Sequence, residues 1–211
     1  GSFAWLKRRL DLNTVEKVKK FNLPGIYLKT EYKRFYPNSH LASTLIGFVG
    51  IDNQGLEGCE FYYNSYLHGT EDDKQHQPSV LPETVFGKNI VLTIDKIIQF
   101  LAEEELKKVY DETRAKSAVC VVMDPSSFDV LAMVSLPDFD CNNYEDYSKS
   151  SRRNRTLTDV FEPGSTFKLV IASALLNEGL VKESEVFNCP GYVSVAGRRM
   201  RCLKDHGDLT F

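Results

Sequence analysis

The order of apolar and polar positions divides the chain into two parts of different texture. From about Phe3 to Gly69, apolar residues come in short groups between turn formers. In "DLNTVEKVKKF", Val15, Val18 and Phe21 recur at helical spacing, and Asn13 or Thr14 is placed to cap the helix. "LPGIYLKTEYKRFYP" reads as extended chain, broken by Pro37. "STLIGFVGIDNQGLEGCEFYYNSYL" predicts an apolar strand among glycine turns, then an aromatic-rich helix. The polar stretch "GTEDDKQHQPSVLPETVFGK", with Pro78, Pro82 and Gly87, reads as a connector.

Beyond it the periods lengthen. Ile90 to Leu92 predict a short strand, and Thr93 or Asp95 then caps a long helix running from about Asp95 to Thr113. Ile94, Ile97 and Leu101 form one stripe, with Ile98, Ala102, Leu106 and Val109 beside it and Glu and Lys opposite. The near-continuous apolar run Ala118 to Met123 predicts a strand buried on both faces. Val130 to Val134 should pair with it as an antiparallel hairpin. "PDFDCNNYEDYSKSSRRNRTLTDV" is a polar loop. "GSTFKLVIASALLNEGL" predicts a second helix, ended by Gly179. "CPGYVSVAGRRMRC" predicts a hairpin turning near Ala196-Gly197. With its turn near Val195-Ala196, Cys189 and Cys202 would face each other across the strands.

Composition changes this picture little. With 211 residues, 42% hydrophobic and 26% charged, the chain can build one or two domains with a sizeable core. A net charge of −3 gives no overall field for nucleic acid. No apolar run is long enough to span a bilayer, and no signal peptide is visible. Gly1-Ser2 reads as a cloning scar. The odd and sparse set Cys59, Cys120, Cys141, Cys189 and Cys202 is not a disulfide framework. Cys120 reads as a small buried hydrophobe.

The candidate chemistry lies in "EPGSTFKLV". Ser165 and Lys168 fall one helical turn apart, on one face. A serine hydroxyl needs a base before it attacks a carbonyl. A lysine serves as that base only when neutral, so burial or nearby cations must lower its pKa. Leu169, Val170 and Ile171 predict that this turn is sunk into a core. The positive end of the helix would stabilise a developing oxyanion. The bland reading is a helix-capping serine followed by a solvated lysine. The four-residue pattern alone does not decide between them, since about one copy is expected by chance in a chain this long.

Context decides it. "KRFYP", "GLEGCEFYYNSYLHG", "LTIDKIIQFLAEEEL", "VVMDPSSFDVLAMVSLPDFDCNNY", "RNRTLTDVFEPGSTFKLV" and "HGDLTF" resemble, in order, segments of the class B penicillin-binding proteins, the monofunctional peptidoglycan D,D-transpeptidases. The resemblance implies an α+β fold. A turn-rich, dimerisation-type pedestal with its connector covers 1–88, and the first part of a β-lactamase-like transpeptidase domain, an antiparallel sheet with helices, covers 89–211. It implies Ser165 as nucleophile and as an oxyanion-hole N–H donor, with Lys168 as general base. The implied ligands are peptidoglycan stem peptides and β-lactam antibiotics. The implied partners are a membrane glycan polymerase and other proteins of the division or elongation machinery, with no nucleic acid. The implied location is the cell envelope, anchored in the cytoplasmic membrane with the catalytic domain outside the cytoplasm. The family's Ser-x-Asn and Lys-Thr-Gly motifs are expected beyond Phe211, so the chain reads as an inactive piece of a longer enzyme. A wall-binding or β-lactam-sensing module, or a scaffold for the polymerase, is the alternative. The turn "PSSFD" departs from the family's glycine-containing turn and predicts a longer one.

Other residues carry milder expectations. Arg34, Glu57 and Glu60 read either as a partner contact or as an internal ion pair, the second being favoured. Tyr62, Tyr63 and Tyr66 read as packing residues, His68 and His76 as solvated, and Arg152, Arg153 and Arg155 as a solvated basic loop. No cofactor is expected. Cys189, Cys202 and His206 are a candidate cluster with three readings open: free thiols, a disulfide, or a structural zinc completed by a ligand beyond Phe211.

Overall fold

In the computed structural model, residues 4–68 and 87–211 are described. The expected connector, the boundary drawn at its end, and His76 lie in or beside residues 69–86, outside the described residues. By compactness the chain divides into 1–159 and 160–211.

In the first unit, α1 (Leu12–Phe21) is capped by Asp11, whose Oδ1 accepts from Thr14 N at 2.8 Å. The carboxylate, rather than Asn13 or Thr14, takes the orphan N–H. Residues 22–36 form no strand. Tyr36 is instead gripped by one side chain: its N–H donates to Asn142 Oδ1 at 3.0 Å, and Asn142 Nδ2 donates to Tyr36 O at 2.8 Å. Then come α2 (Ser43–Ile46), β1 (Phe48–Val49), β2 (Gly55–Glu57), α3 (Gly58–Tyr62) and α4 (Asn64–His68). β1 and β2 pair antiparallel. Gly47 has φ +78°, and a Cβ there would stand 1.8 Å from Glu57 O, so this crossing requires glycine.

Phe48 anchors the core of this part. It lies edge-on to Phe139 at 5.7 Å and stacks on Tyr144 at 3.9 Å, with buried Cys141 alongside. The Arg152 guanidinium sits 5.1 Å over the Phe48 ring. Arg155 is also largely covered, bonding Ser150 and Asp159, and Arg153 pairs with Asp159. The expected solvated basic loop is therefore packed at Arg152 and Arg155, while Arg153 is exposed as expected. The Arg152 guanidinium finds aromatic neighbours and Arg155 a carboxylate, which a run of charges does not reveal. Tyr62, Tyr63 and Tyr66 are exposed rather than packed. Tyr62 and Tyr63 meet edge to face at 4.8 Å, and the Lys88 ammonium stands over Tyr66.

The predicted strand at Ile90 to Leu92 is irregular chain. The long helix is present as α5 (Lys96–Thr113), with Asp95 Oδ1 accepting from Ile97 N and Ile98 N at 2.8 and 2.9 Å. The hairpin of β3 (Ala118–Met123) and β4 (Val130–Leu136) is antiparallel, with Cys120 opposite Val134. Asp124 builds its longer turn: Asp124 N donates to Asp129 O, and Oδ1 accepts from Ser126 N and Ser127 N. β3 alternates rather than being buried on both faces. Val119, Val121 and Met123 are 46–50% exposed, because α5 covers one side only. Cys120 is half-buried.

α5 also packs differently from expectation. Ile97 and Leu101 face solvent, while Gln99 is fully buried. Gln99 Oε1 accepts from Met133 N at 2.8 Å and Nε2 donates to Met133 O at 3.1 Å. Asp95 N donates to Leu131 O at 2.9 Å, so the helix start and one amide side chain satisfy alternate residues of β4. After this hairpin, a 3₁₀ segment (Cys141–Asp146), α6 (Lys149–Arg152) and α7 (Arg155–Thr158) complete the unit.

The second unit holds a 3₁₀ turn (Gly164–Thr166) running into α8 (Phe167–Asn177), then β5 (Val186–Cys189), β6 (Tyr192–Val195), β7 (Arg198–Arg201) and β8 (Gly207–Thr210). β6 and β7 form the predicted hairpin turning at Ala196-Gly197, and β5 pairs with β8. Gly179 (φ +65°) ends α8, with Leu180 N donating to Leu175 O at 3.0 Å. None of the four strands is buried, and α8 buries no residue.

Candidate active site

The turn carrying Ser165 is built by its neighbours. Gly164 takes φ +55°, which positions the chain to enter the helix. Thr166, not Ser165, supplies the local hydroxyl bond: its Oγ1 and its N–H both go to Pro163 O. Ser165 thus lies inside a 3₁₀ turn ahead of α8 rather than acting as a cap, which leaves its hydroxyl exposed. Lys168, second residue of α8, follows one turn later. The i, i+3 relation puts both on one face at the positive end of the helix.

The burial expected around Lys168 is not found. Lys168 is exposed, as are Leu169, Val170 and Ile171 at 73%, 58% and 49%. α8 is apolar around most of its circumference, a pattern that normally belongs to a fully packed helix. Beside the Ser165 turn lies a shallow depression of ≈ 330 Å³, lined by Gly164, Phe167, Lys168, Ile171, Leu175 and Phe211. Its lining is apolar except for the lysine. The arrangement offers a hydroxyl, an amine and an apolar bed, the parts needed for serine acyl transfer.

Arg34, Glu57 and Glu60 do not form one group. Arg34 Nε meets Glu60 Oε1 at 2.9 Å, and Tyr36 Oη donates to the same carboxylate oxygen at 3.2 Å. Glu60 is 6% exposed. Burial, with this carboxylate next in weight, pushes the Tyr36 phenol well above its ordinary pKa. Glu57 stands 3.9 Å from Arg152 instead.

Cys189, Cys202 and His206 do come together, though not as a cross-strand pair. Cys189 ends β5 opposite Gly207, while Cys202 directly follows β7. His206 Nδ1 lies 3.6 Å from Cys189 Sγ and 3.5 Å from Cys202 Sγ. The hydrogen bond with His206 lowers the Cys189 thiol to about 7, helped by backbone N–H groups. Both cysteines are free thiols.

Sequence reasoning missed a pocket of ≈ 250 Å³ lined by His40, Glu103, Met133 and Asp138. His40 Nδ1 lies 3.0 Å from Asp138 Oδ2, and Glu103 Oε1 accepts from Ala42 N and Gln99 Nε2, both at 2.7 Å. Burial raises the Glu103 carboxyl above the ordinary glutamate range despite those bonds. These residues lie far apart in sequence, and no spacing announces them.

Comparison with known proteins places the chain clearly. Residues 3–85 match the penicillin-binding protein dimerisation domain, and residues 118–209 match the penicillin-binding protein transpeptidase domain. The chain is 33% identical over 219 aligned residues to peptidoglycan D,D-transpeptidase FtsI of Escherichia coli K12, covering 100% of this chain and 37% of that protein. It is 35% identical to the probable peptidoglycan D,D-transpeptidase PbpC of Pseudomonas aeruginosa, covering 99% of this chain and 39% of that one. Penicillin-binding protein 3 of Mycobacterium tuberculosis, solved in complex with aztreonam, is similar with a TM-score of 0.69 at 30% identity, over 85% of this chain and 39% of that one. The chain spans well under half the length of the relatives it matches.

Proposed function

The chain belongs to the penicillin-binding proteins, with dimerisation-domain and transpeptidase-domain sequence in that order, and we propose that the whole protein is a peptidoglycan D,D-transpeptidase acting through Ser165. The observation that carries the proposal is the exposed Ser165 turn within the transpeptidase match, one turn before Lys168 at the start of α8.

In this mechanism Ser165 Oγ attacks the carbonyl carbon of the D-Ala-D-Ala peptide bond of a stem peptide. Lys168 Nζ accepts the hydroxyl proton and passes it to the leaving amine of the terminal D-Ala. The acyl-enzyme remains. The amine of a neighbouring stem peptide then attacks it, giving the cross-link and restoring the serine hydroxyl. The Ser165 backbone N–H, at the positive end of the helix, would donate to the oxyanion. A β-lactam presents the same reactive carbonyl, acylates Ser165 and stays. Placement in the cell envelope and docking to a membrane glycan polymerase belong to this reading. Among the described residues, no helix is long and apolar enough to cross a membrane.

The test is labelling of the whole protein with a fluorescent penicillin, followed by peptide mapping. The adduct should sit on Ser165, and Ser165→Ala should abolish it. An adduct on another residue would overturn the assignment. Acylation without cross-linking of stem peptides would point to a sensor instead of a transpeptidase.

A further inference from the structure

We propose that Asp159 is a positioning residue for the serine chemistry: Arg153 and Arg155 clamp its carboxylate, so that the chain to Ser165 leaves from a fixed point. The proposal rests on Ser165 as the acylated residue.

The case begins with how the chain divides. The first compact unit ends at Asp159 and the second begins at Val160. Asp159 directly follows α7, and its N–H donates to Arg155 O at 3.1 Å. Residues 160–162 then lead to the turn that carries Ser165. Among the described residues these three make no hydrogen bond, and Val160 and Phe161 are exposed. Asp159 is therefore the last residue before that turn to be held by hydrogen bonds and charge.

The hold is specific. Each carboxylate oxygen has its own guanidinium: Arg153 Nη2 meets Oδ1, and Arg155 Nη1 meets Oδ2 at 3.4 Å. Two points of attachment fix the orientation of a carboxylate as well as its place. The arginines are fixed in turn. Arg155 Nη2 donates to Ser150 Oγ at 2.7 Å, and Arg155 N donates to Ser135 Oγ at 3.1 Å. Ser135 is buried on β4, and its hydroxyl donates to Arg153 O at 3.4 Å. Just before them, the Arg152 guanidinium lies 5.1 Å from the Phe48 ring and 5.8 Å from the Tyr144 ring. The clamp is thus built on β4 and the aromatic core, not on a free loop.

Stability alone does not account for such a clamp. The Arg153 and Asp159 side chains are 49% and 35% exposed, and ion pairs this open add little to folding. Rate is far more sensitive to placement. A misplacement of about 1 Å at a reacting centre can cost on the order of a hundredfold, even when its cause lies away from the chemistry.

The test is the concentration dependence of penicillin labelling of the whole protein, which separates the half-saturating concentration from the limiting acylation rate. Asp159→Asn keeps the shape and removes the charge. It should lower the limiting rate on the order of tenfold while moving the half-saturating concentration by no more than about twofold. Its melting temperature should stay close to the parent's. Asp159→Glu restores the charge and should recover most of the rate, at a temperature where circular dichroism shows both variants folded. Arg153→Gln combined with Asp159→Asn should be no slower than the slower single variant, because both remove the same interaction. A limiting rate unchanged in Asp159→Asn, with Ser165 still acylated, would overturn the positioning role and leave the serine assignment intact. So would a loss of rate in Asp159→Asn that Asp159→Glu does not restore. A parent protein acylated at a residue other than Ser165 would overturn both.

Discussion

Gln99 binds both ends of Met133: Met133 N donates to Gln99 Oε1 at 2.8 Å, and Gln99 Nε2 donates to Met133 O at 3.1 Å. A helix side chain thereby stands in for a neighbouring strand on the edge of β4. Asn142 does the same for Tyr36. Gln99→Leu should leave a buried N–H and C=O without partners, at a cost of about 2–4 kcal/mol by urea denaturation. Gln99→Glu should do little better, because a carboxylate cannot donate to Met133 O. A loss below about 0.5 kcal/mol for both would mean that water replaces the amide freely.

Glu103 tests the electrostatics of the same face. Burial raises its carboxyl, so the folded chain holds this proton to higher pH than the unfolded chain does. Stability from this group is therefore greatest below the ordinary glutamate value of about 4.3 and falls as pH rises through the raised value. Glu103→Gln keeps an oxygen to accept from Ala42 N and Gln99 Nε2 while removing the charge. It should be as stable as the parent or more so at pH 7. The downward slope just above the glutamate range should also flatten. A variant less stable at pH 7 with an unchanged slope would contradict this account.

The Arg34–Glu60 pair should behave as a buried ion pair open at one end. Glu60 is almost completely covered, while the Arg34 side chain is 39% exposed. Arg34→Ala strands the Glu60 carboxylate with only the Tyr36 hydroxyl. The loss should be about 2–3 kcal/mol, below the figure for a fully buried pair because solvent reaches the arginine. Glu60→Gln should cost less, since the amide oxygen still accepts from Tyr36. Melting of both variants and of the double variant gives the coupling. A coupling near zero would mean that the two charges stand together without stabilising each other.

How far these features could be read from the sequence follows from the kind of signal each carries. Local backbone chemistry was legible: Asp95 starting α5, Gly179 ending α8, the β3–β4 hairpin, and the Ala196-Gly197 turn. The buried face of α5 was not, because hydropathy ranks Ile97 above Gln99 and carries no record of a hydrogen-bonding strand edge. Arg152 and Arg155 were misread for a similar reason: their stems pack while their charges dominate the sequence. The Ser165-Lys168 spacing was visible at once, whereas the exposure of Lys168 depends on what covers α8, which no local pattern encodes. The Cys189 register was missed because its strand pairs with β8 across the intervening hairpin, a non-local choice.

Lys168 carries the sharpest functional prediction. If it takes the Ser165 proton, removing its amine must slow acylation without disturbing the fold. The two readouts separate cleanly here. Lys168 is exposed at the start of a helix, and alanine is the better helix former, so Lys168→Ala should change stability by no more than about 0.5 kcal/mol. General-base catalysis is typically worth about 10²–10⁴-fold, so penicillin labelling of the whole protein should fall by at least about a hundredfold. Lys168→Arg should not rescue it. The guanidinium keeps charge and reach but stays protonated at any working pH and cannot accept a proton. Serine attack would then depend on hydroxide, and residual labelling in both variants should climb with pH more steeply than in the parent. Labelling that survives in Lys168→Arg would reduce the residue to a positioning charge, and the base would have to be sought elsewhere.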